Sequence, residues 1–184
     1  MTVTVRTALR EDALTISRIR IDTWRAAYTG LIDAEILDQM DADSEGERRA
    51  ARWDELHGPR HVEFIAEVGG VPVGWAAIGP SIDDDLPRDG QLFAIYALPD
   101  HWSRGVGHAL LVEAENRLRA EGFRHAHLWV LDGNLRAAAF YEAHGWHEDG
   151  ATLTDERRGW RGAVYTLFER RRIRDLSEPA PPRR

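Results

Sequence analysis

Eight consecutive residues, Gln91 to Leu98 (QLFAIYAL), are almost all apolar, and Pro99 ends the run. A short continuous apolar segment of this kind reads as a strand covered on both faces. The chain must therefore build layers on both sides of a sheet. The flanking sequence supplies them by switching period. Thr2 to Leu9 alternates, with Val3 and Val5 β-branched, and predicts a first strand. Arg10 to Asp12 open a helix with Ile16, Ile19, Thr23 and Ala26 on one face, extended by Trp24 and Tyr28 and ended by Gly30. Ile32–Met40 and Ser44–Leu56 predict two further helices, the first capped by Asp33 and the second stopped by Gly58-Pro59.

Val62 to Val68 alternates again, Gly69-Gly70 offers a two-residue hairpin turn, and Val71 to Ile78 returns. A loop from Gly79 to Gly90 holds the acidic run Asp83-Asp84-Asp85. After the central strand, Ser103 to Ala120 carries the helical stripe Val106, Leu110, Ala114 and Leu118. His125–Leu131 reads as a strand, Asn134–His144 as a helix ended by Gly145, and Trp146 onward and Ala163–Phe168 as the last two strands. The expected class is α/β (α+β): a mixed, mostly antiparallel twisted sheet of about seven strands with helices on both faces. A length of 184 residues favours one domain. We read it as 1–169, followed by a basic, proline-rich and mobile tail over 170–184.

Composition narrows the chemistry. The chain has no cysteine, which removes disulfides, thiolate metal sites and a cysteine nucleophile. All 24 cations are arginine, so a phosphate loop of the G-x-x-x-x-G-K-[ST] type is excluded. A net charge of −7 argues against a generic nucleic-acid binder. No run approaches the roughly 20 apolar residues needed to span a bilayer, and the first residues lack a signal-peptide pattern, so the expected location is the cytoplasm. His125 and His127 share a strand face, but no further ligands at metal spacing accompany them.

Two motifs carry chemistry. Arg104-Gly105-Val106-Gly107 opens a helix directly after the central strand. Glycines there let a ligand approach the backbone, and the unpaired first-turn N–H groups and the helix dipole favour an anion such as phosphate. Arg104 adds a cation and His108 a further donor. The spacing is not the dinucleotide fingerprint, whose third glycine would fall on Leu110. The competing account is a glycine pair that only permits close packing. Asn134 opens a second helix, and Tyr141 follows seven residues later, close to two turns and about 10 Å along the same face. Taken singly, Asn134 reads as a cap and Tyr141 as a half-buried aromatic.

Together, a strand, a G-x-G helix, a strand and an Asn-x6-Tyr helix ending in His-Gly-Trp resemble the GNAT superfamily of acyl-CoA-dependent N-acyltransferases. The resemblance covers about residues 3–169 and is sharpest from Leu92 to Trp146. The stretch WRAAYTGLI also resembles a bacterial subset. What it implies is as follows. The strands at Gln91–Leu98 and His125–Leu131 splay, and acetyl-CoA (coenzyme A) enters the gap. Backbone groups of Ile95, Tyr96 and Ala97 hold the pantetheine arm. Ser103, Arg104, Gly105, Val106, Gly107 and His108 cradle the pyrophosphate, and Asn134 contacts the cofactor. Tyr141 protonates the departing thiolate. The helix with Trp24 and Tyr28 borders the acceptor site.

Trp102 stands where the family often has Gln or Arg, and Gln91 and Trp129 where carboxylates often stand. Asp83–Asp85 either supplies the missing base, draws in a cationic acceptor, or is a solvated loop. The expected function is an N-acetyltransferase moving an acetyl group from acetyl-CoA to a small-molecule or peptide primary amine, by direct attack in a ternary complex. A non-catalytic acyl-CoA sensor and a protein N-terminal or lysine acetyltransferase are the alternatives. A homodimer is left open, and no metal, nucleic-acid or membrane partner is expected.

Overall fold

The computed structural model describes residues 2–158 and 164–178. Among these, seven strands form one sheet: β1 (Val3–Thr7), β2 (Val62–Val68), β3 (Val71–Pro80), β4 (Gly90–Ala97), β5 (His125–Leu131), β6 (His147–Arg158) and β7 (Val164–Asp175). Their order is β1-β2-β3-β4-β5-β7-β6. Every neighbouring pair is antiparallel except β4 and β5, which run parallel. The helices are α1 (Ala13–Ala27), α2 (Ala34–Asp38), α3 (Ala42–Ala51), α4 (Trp53–Leu56), α5 (Val106–Ala120) and α6 (Leu135–Ala143). None of them is long and apolar enough to cross a membrane.

The β2–β3 hairpin forms because Gly69 and Gly70 both adopt positive φ, as a two-residue turn between twisted strands requires. One face of the sheet is covered by α5 and α6. The α5 stripe of Val106, Leu110, Leu111, Ala114 and Leu118 is buried against Val73, Ala76, Ile78 and Leu128. Full burial of each such aliphatic side chain contributes about 1.5–3 kcal/mol. Gly74 lets α5 lie this close: a Cβ there would sit 2.7 Å from Val106 Cγ1 and 3.0 Å from the Tyr96 carbonyl oxygen. On the other face, Ile16 and Ile19 of α1 pack on Ile65, Trp75 and Ala77. A third cluster joins Trp24, Ile32 and Leu37 to Leu131 and Leu167.

Three expectations are corrected. The helix expected over Ser44–Leu56 breaks at Arg52, giving α3 and the four-residue α4. The central helix starts at Val106 rather than Ser103, whose φ of 56° is left-handed. The tail expected from residue 170 begins later, because 170–175 complete β7. Arg171, Arg172 and Arg174 are buried there, made tolerable by carboxylates: Asp85 and Asp149 for Arg171, Glu142 and Glu148 for Arg172, and Glu115 with the nearby Glu178 for Arg174. The proline-rich end over 179–184, and Ala163 as the expected start of the last strand, lie outside the described residues.

Candidate active site

The parallel pairing of β4 with β5 is confined to Gly90–Ala126 and Gln91–His127. Beyond those two pairs the strands part. A bulge opposite Ala77 and Ile78 precedes the parting: Ala77 pairs with Ala94 and Ile78 with Leu92, leaving Phe93 as the extra residue. Such a bulge bends the strand and re-aims its side chains. The Leu98 N–H donates to the Val73 carbonyl, and antiparallel alternation then turns the backbone groups of Ile95 and Ala97 away from β3, into the gap. The backbone of Tyr96 is committed to β3 by the same alternation. The expected trio of backbone partners is therefore reduced to Ile95 and Ala97. The Ala97 carbonyl is also engaged, accepting from the Trp102 indole at 2.7 Å and the Thr23 hydroxyl at 3.0 Å.

A cleft of about 540 Å³ occupies the gap. It passes through the sheet, since Tyr28 and Tyr96 line it on the α1 side and Gly107, Asn134 and Tyr141 on the α5–α6 side. The start of α5 forms one wall. Ser103 (φ 56°) and Gly105 (φ 88°) are both left-handed, which curls the chain into a concavity of amides. The N–H groups of Ser103 through Gly107 have no acceptor among the described residues, whereas that of Ala109 bonds the Gly105 carbonyl. The helix dipole adds to them. Gly107 admits the ring of Phe140, 3.4 Å from where a Cβ would stand.

The expected cradle residues divide. Ser103, Gly105, Gly107 and His108 line the cleft. Arg104 is exposed beside it and does not line it. The Val106 side chain is wholly buried in the core, so only its amide is available. The cation at this wall is one that the sequence did not single out. Arg136 lies 3.4 Å above the Trp102 ring and lines the cleft. Arg136 is largely exposed, and partial desolvation against the ring lowers its basicity from the ordinary arginine value without neutralising it. His108 Nδ1 lies 2.9 Å from His144 Nε2, and His144 Nδ1 lies 2.7 Å from the Phe140 carbonyl, which accepts from it.

Asn134 caps α6, its side-chain oxygen accepting from the Ala137 N–H at 3.1 Å. It also lines the cleft, as Tyr141 does. Tyr141 is buried in the core, and that burial pushes its hydroxyl well above the ordinary tyrosine range, with Tyr96 adding to the shift and Arg172 opposing it. Tyr28 is shifted in the same direction, by burial first and then by the neighbouring Tyr96. Both phenols therefore keep their protons at neutral pH.

Trp24 does not reach the cleft; it packs in the core beneath Tyr28, with Arg20 over its ring. Helical spacing alone does not separate the two, because residues four apart share a face but differ in depth. Gln91 is buried and its side-chain oxygen accepts from the Ile82 N–H, so it anchors the loop before β4. The acidic run is neither a free base nor a fully solvated loop. Asp83 accepts from the Trp129 indole at 2.9 Å and faces buried His127 at 3.2 Å, and Asp85 pairs with Arg171 at 2.7 Å. Burial depresses the basicity of His127, leaving it neutral.

A sheet parted beside a helix start rich in free amides is the arrangement that the resemblance to acyl-CoA-dependent acyltransferases implies, and known proteins share it. Residues 23–146 match the acetyltransferase (GNAT) family. The chain belongs to that family of acyltransferases. It is 33% identical over 123 residues to YuaI of Bacillus subtilis (strain 168), an uncharacterized N-acetyltransferase, covering 66% of this chain and 67% of that protein. A GCN5-related N-acetyltransferase from Rhodopseudomonas palustris shares the fold with a TM-score of 0.73 at 22% identity, over 95% of this chain and 96% of the other. YncA from Salmonella typhimurium, solved with its cofactor acetyl-CoA, does so with a TM-score of 0.63 at 22% identity, over 99% and 98%.

Proposed function

We propose that the chain transfers an acetyl group from acetyl-CoA to a primary amine, by direct attack within a ternary complex. The observation that carries this reading is the run of five acceptor-free amides, Ser103 to Gly107, opening onto a cleft that crosses the sheet. Those amides suit a pyrophosphate, and Arg136 supplies the cation that Trp102 cannot. Trp102 holds the guanidinium over its ring by a cation–π contact, an arrangement worth about 0.5–2 kcal/mol. The Ile95 N–H and carbonyl and the Ala97 N–H offer a strand edge to an amide-containing arm. Asn134 spends its oxygen on the helix cap, so its amide N–H₂ is the group left to donate.

The amine approaches from the α1 side and attacks the thioester carbon. A backbone donor facing the developing oxyanion is worth about 3 kcal/mol. Tyr141 donates its proton to the sulfur as the C–S bond breaks. A phenol held protonated by burial is an acid that stays loaded at every neutral pH. No covalent enzyme intermediate is required, consistent with a chain that has no cysteine.

Calorimetry with coenzyme A, followed by thiol release from acetyl-CoA across an amine panel, tests the proposal. Uptake together with amine-dependent thiol release is the expected result. No uptake at millimolar coenzyme A rejects it. Uptake without turnover on any amine or peptide favours an acyl-CoA-sensing domain, and turnover on peptides alone favours a protein-modifying enzyme.

A further inference from the structure

The two ends of the cleft differ in character. The α5–α6 end carries free amides and Arg136 and suits anions. The α1 end is walled by Tyr28, Tyr96, Trp129 and Leu131. Behind that wall, one strand outside the residues that line the cleft, β7 places a carboxylate. Leu131 and Glu169 are direct partners across β5 and β7, so their side chains leave the same face of the sheet. Leu167, two residues before Glu169 and on that same face, packs with Trp24 and Tyr28, which fixes the face as the α1 side.

Glu169 is half-buried; its backbone is paired in the sheet, and among the described residues its carboxylate makes no hydrogen bond and no ion pair within 4 Å. The charged groups facing it from β6 are Arg157 and Asp155, and these are already joined to each other at 2.6 Å. From α1, the Tyr28 hydroxyl lies close enough to be influenced by its charge. From β5, the facing residue is the apolar Leu131. Burial raises the Glu169 carboxyl above its ordinary range, against the pull of Arg157, which makes its ionised form a stronger base. A half-buried carboxylate without a partner is unfavourable unless a ligand completes it.

We propose that Glu169 is the anionic anchor of the acceptor site, and that the acceptor is a cationic primary amine on an aromatic or apolar stem. The inference rests on the function proposed above and names its substrate class. The ammonium lies against Glu169 and the stem against Tyr28 and Tyr96, whose faces also favour a cation, and against Trp129, whose ring already carries Arg171. Glu169 then takes one proton from the ammonium, and the freed lone pair forms the C–N bond. The C–S electron pair passes to sulfur, which takes the Tyr141 proton. The second proton on the acetylated nitrogen restores Tyr141, and Glu169 returns its proton to solvent. The charges balance with no further reactant.

The test compares Glu169→Gln and Glu169→Asp with the wild-type chain. The probes are a panel of arylalkylamines such as phenethylamine, charged at neutral pH, and a panel of uncharged arylamines and hydrazides of similar size. We expect Glu169→Gln to lower kcat/KM for the charged amines by at least about 10- to 100-fold, through KM by loss of one charge-assisted contact and through kcat by loss of the proton acceptor. The uncharged amines should change less than about twofold, and Glu169→Asp should recover part of the loss. Coenzyme A affinity should be unaltered, which also verifies folding. An unchanged ratio between the two panels overturns the inference, as does an equal fall in both, or a wild type that acetylates only uncharged amines. Any of these leaves acetyl transfer itself standing. Absence of coenzyme A uptake by the wild type instead removes the proposed function.

Discussion

Gly105 separates the energetics of folding from those of cofactor binding. It sits at the N-cap of α5 with φ 88° and ψ −3°, and a Cβ built there meets nothing within 4 Å. Gly105→Ala therefore brings no collision, only the left-handed backbone penalty of about 1–2 kcal/mol. For a chain of this size that lowers Tm by about 2–4 °C per kcal/mol. Gly105→Glu carries the same backbone penalty, because the strain arises at Cβ. It adds a carboxylate at the mouth of the amide cradle. A unit charge on the order of 5 Å from one phosphate charge, at an effective dielectric near 20, is repelled by about 3 kcal/mol. Solvent screening brings this to roughly 1–2 kcal/mol, or about 5- to 30-fold in affinity. Thermal melts should place the two variants close together. Calorimetry with coenzyme A should separate them, and raising the salt concentration should narrow the gap. Equal affinities for the alanine and glutamate variants would show that the bend before α5 does not hold the phosphates.

Other consequences follow from the same geometry. Tyr141→Phe should lower kcat by about 100-fold or more while leaving coenzyme A affinity within about twofold, measured by single-turnover thiol release and calorimetry. Because burial raises the Tyr141 hydroxyl, its proton is retained as pH rises, so the wild-type kcat should show no basic limb from this group up to about pH 10. Glu115→Ala removes the acceptor shared by the Trp146 indole at 3.0 Å and Arg119 at 2.9 Å, and the carboxylate facing buried Arg174. A loss of about 3–5 kcal/mol in urea unfolding is expected. Asp12 is held below the ordinary aspartate value of 3.8 by Arg6, so its stabilisation is present above that value and lost as pH falls through the lower, folded value. Asp12→Asn should therefore be less stable than wild type at neutral pH, and the difference in urea midpoint should close below about pH 4.

The legible parts of the fold are those where local sequence and tertiary role agree. His125–Leu131 is a strand over the expected residues, because an apolar core run is bounded by Gly122 on one side and Gly133 on the other. The glycines at 105 and 107 and the pair Asn134–Tyr141 were legible because each has both a local backbone reason and a place on the cleft. What could not be read depends on partners remote in sequence. The arginines of β7 look like a polar tail until Glu142, Glu148, Asp85 and Asp149 are brought beside them. Arg136 became visible only when α6 placed it over Trp102, although the tryptophan in a slot suited to a cation was a signal that the charge would come from elsewhere. Trp24 and Tyr28 share a helical face, and only packing decides that one is core and the other lines a wall.

The parted strands also explain why β7 is built from arginine. β5 is paired to β4 at two positions only, so most of one edge is given over to the cleft. Its other edge must hold it, and β7 pairs with β5 over its full length, from His125–Asp175 to Leu131–Glu169. The arginines then fasten that two-stranded unit to the surrounding elements. Arg170 reaches Asp132 just past β5, Arg171 ties the loop before β4 to the β6 bulge, and Arg172 joins α6 to β6. Each guanidinium can serve two carboxylates at once because its donors form a planar fork. Lysine, with one compact ammonium, would not bridge two elements in this way. The gap is thus kept open not by weakness in the sheet but by anchoring on the far side of β5. That rigidity is what a site needs if its amides, Arg136 and the phenols are to meet a thioester and an amine in fixed positions.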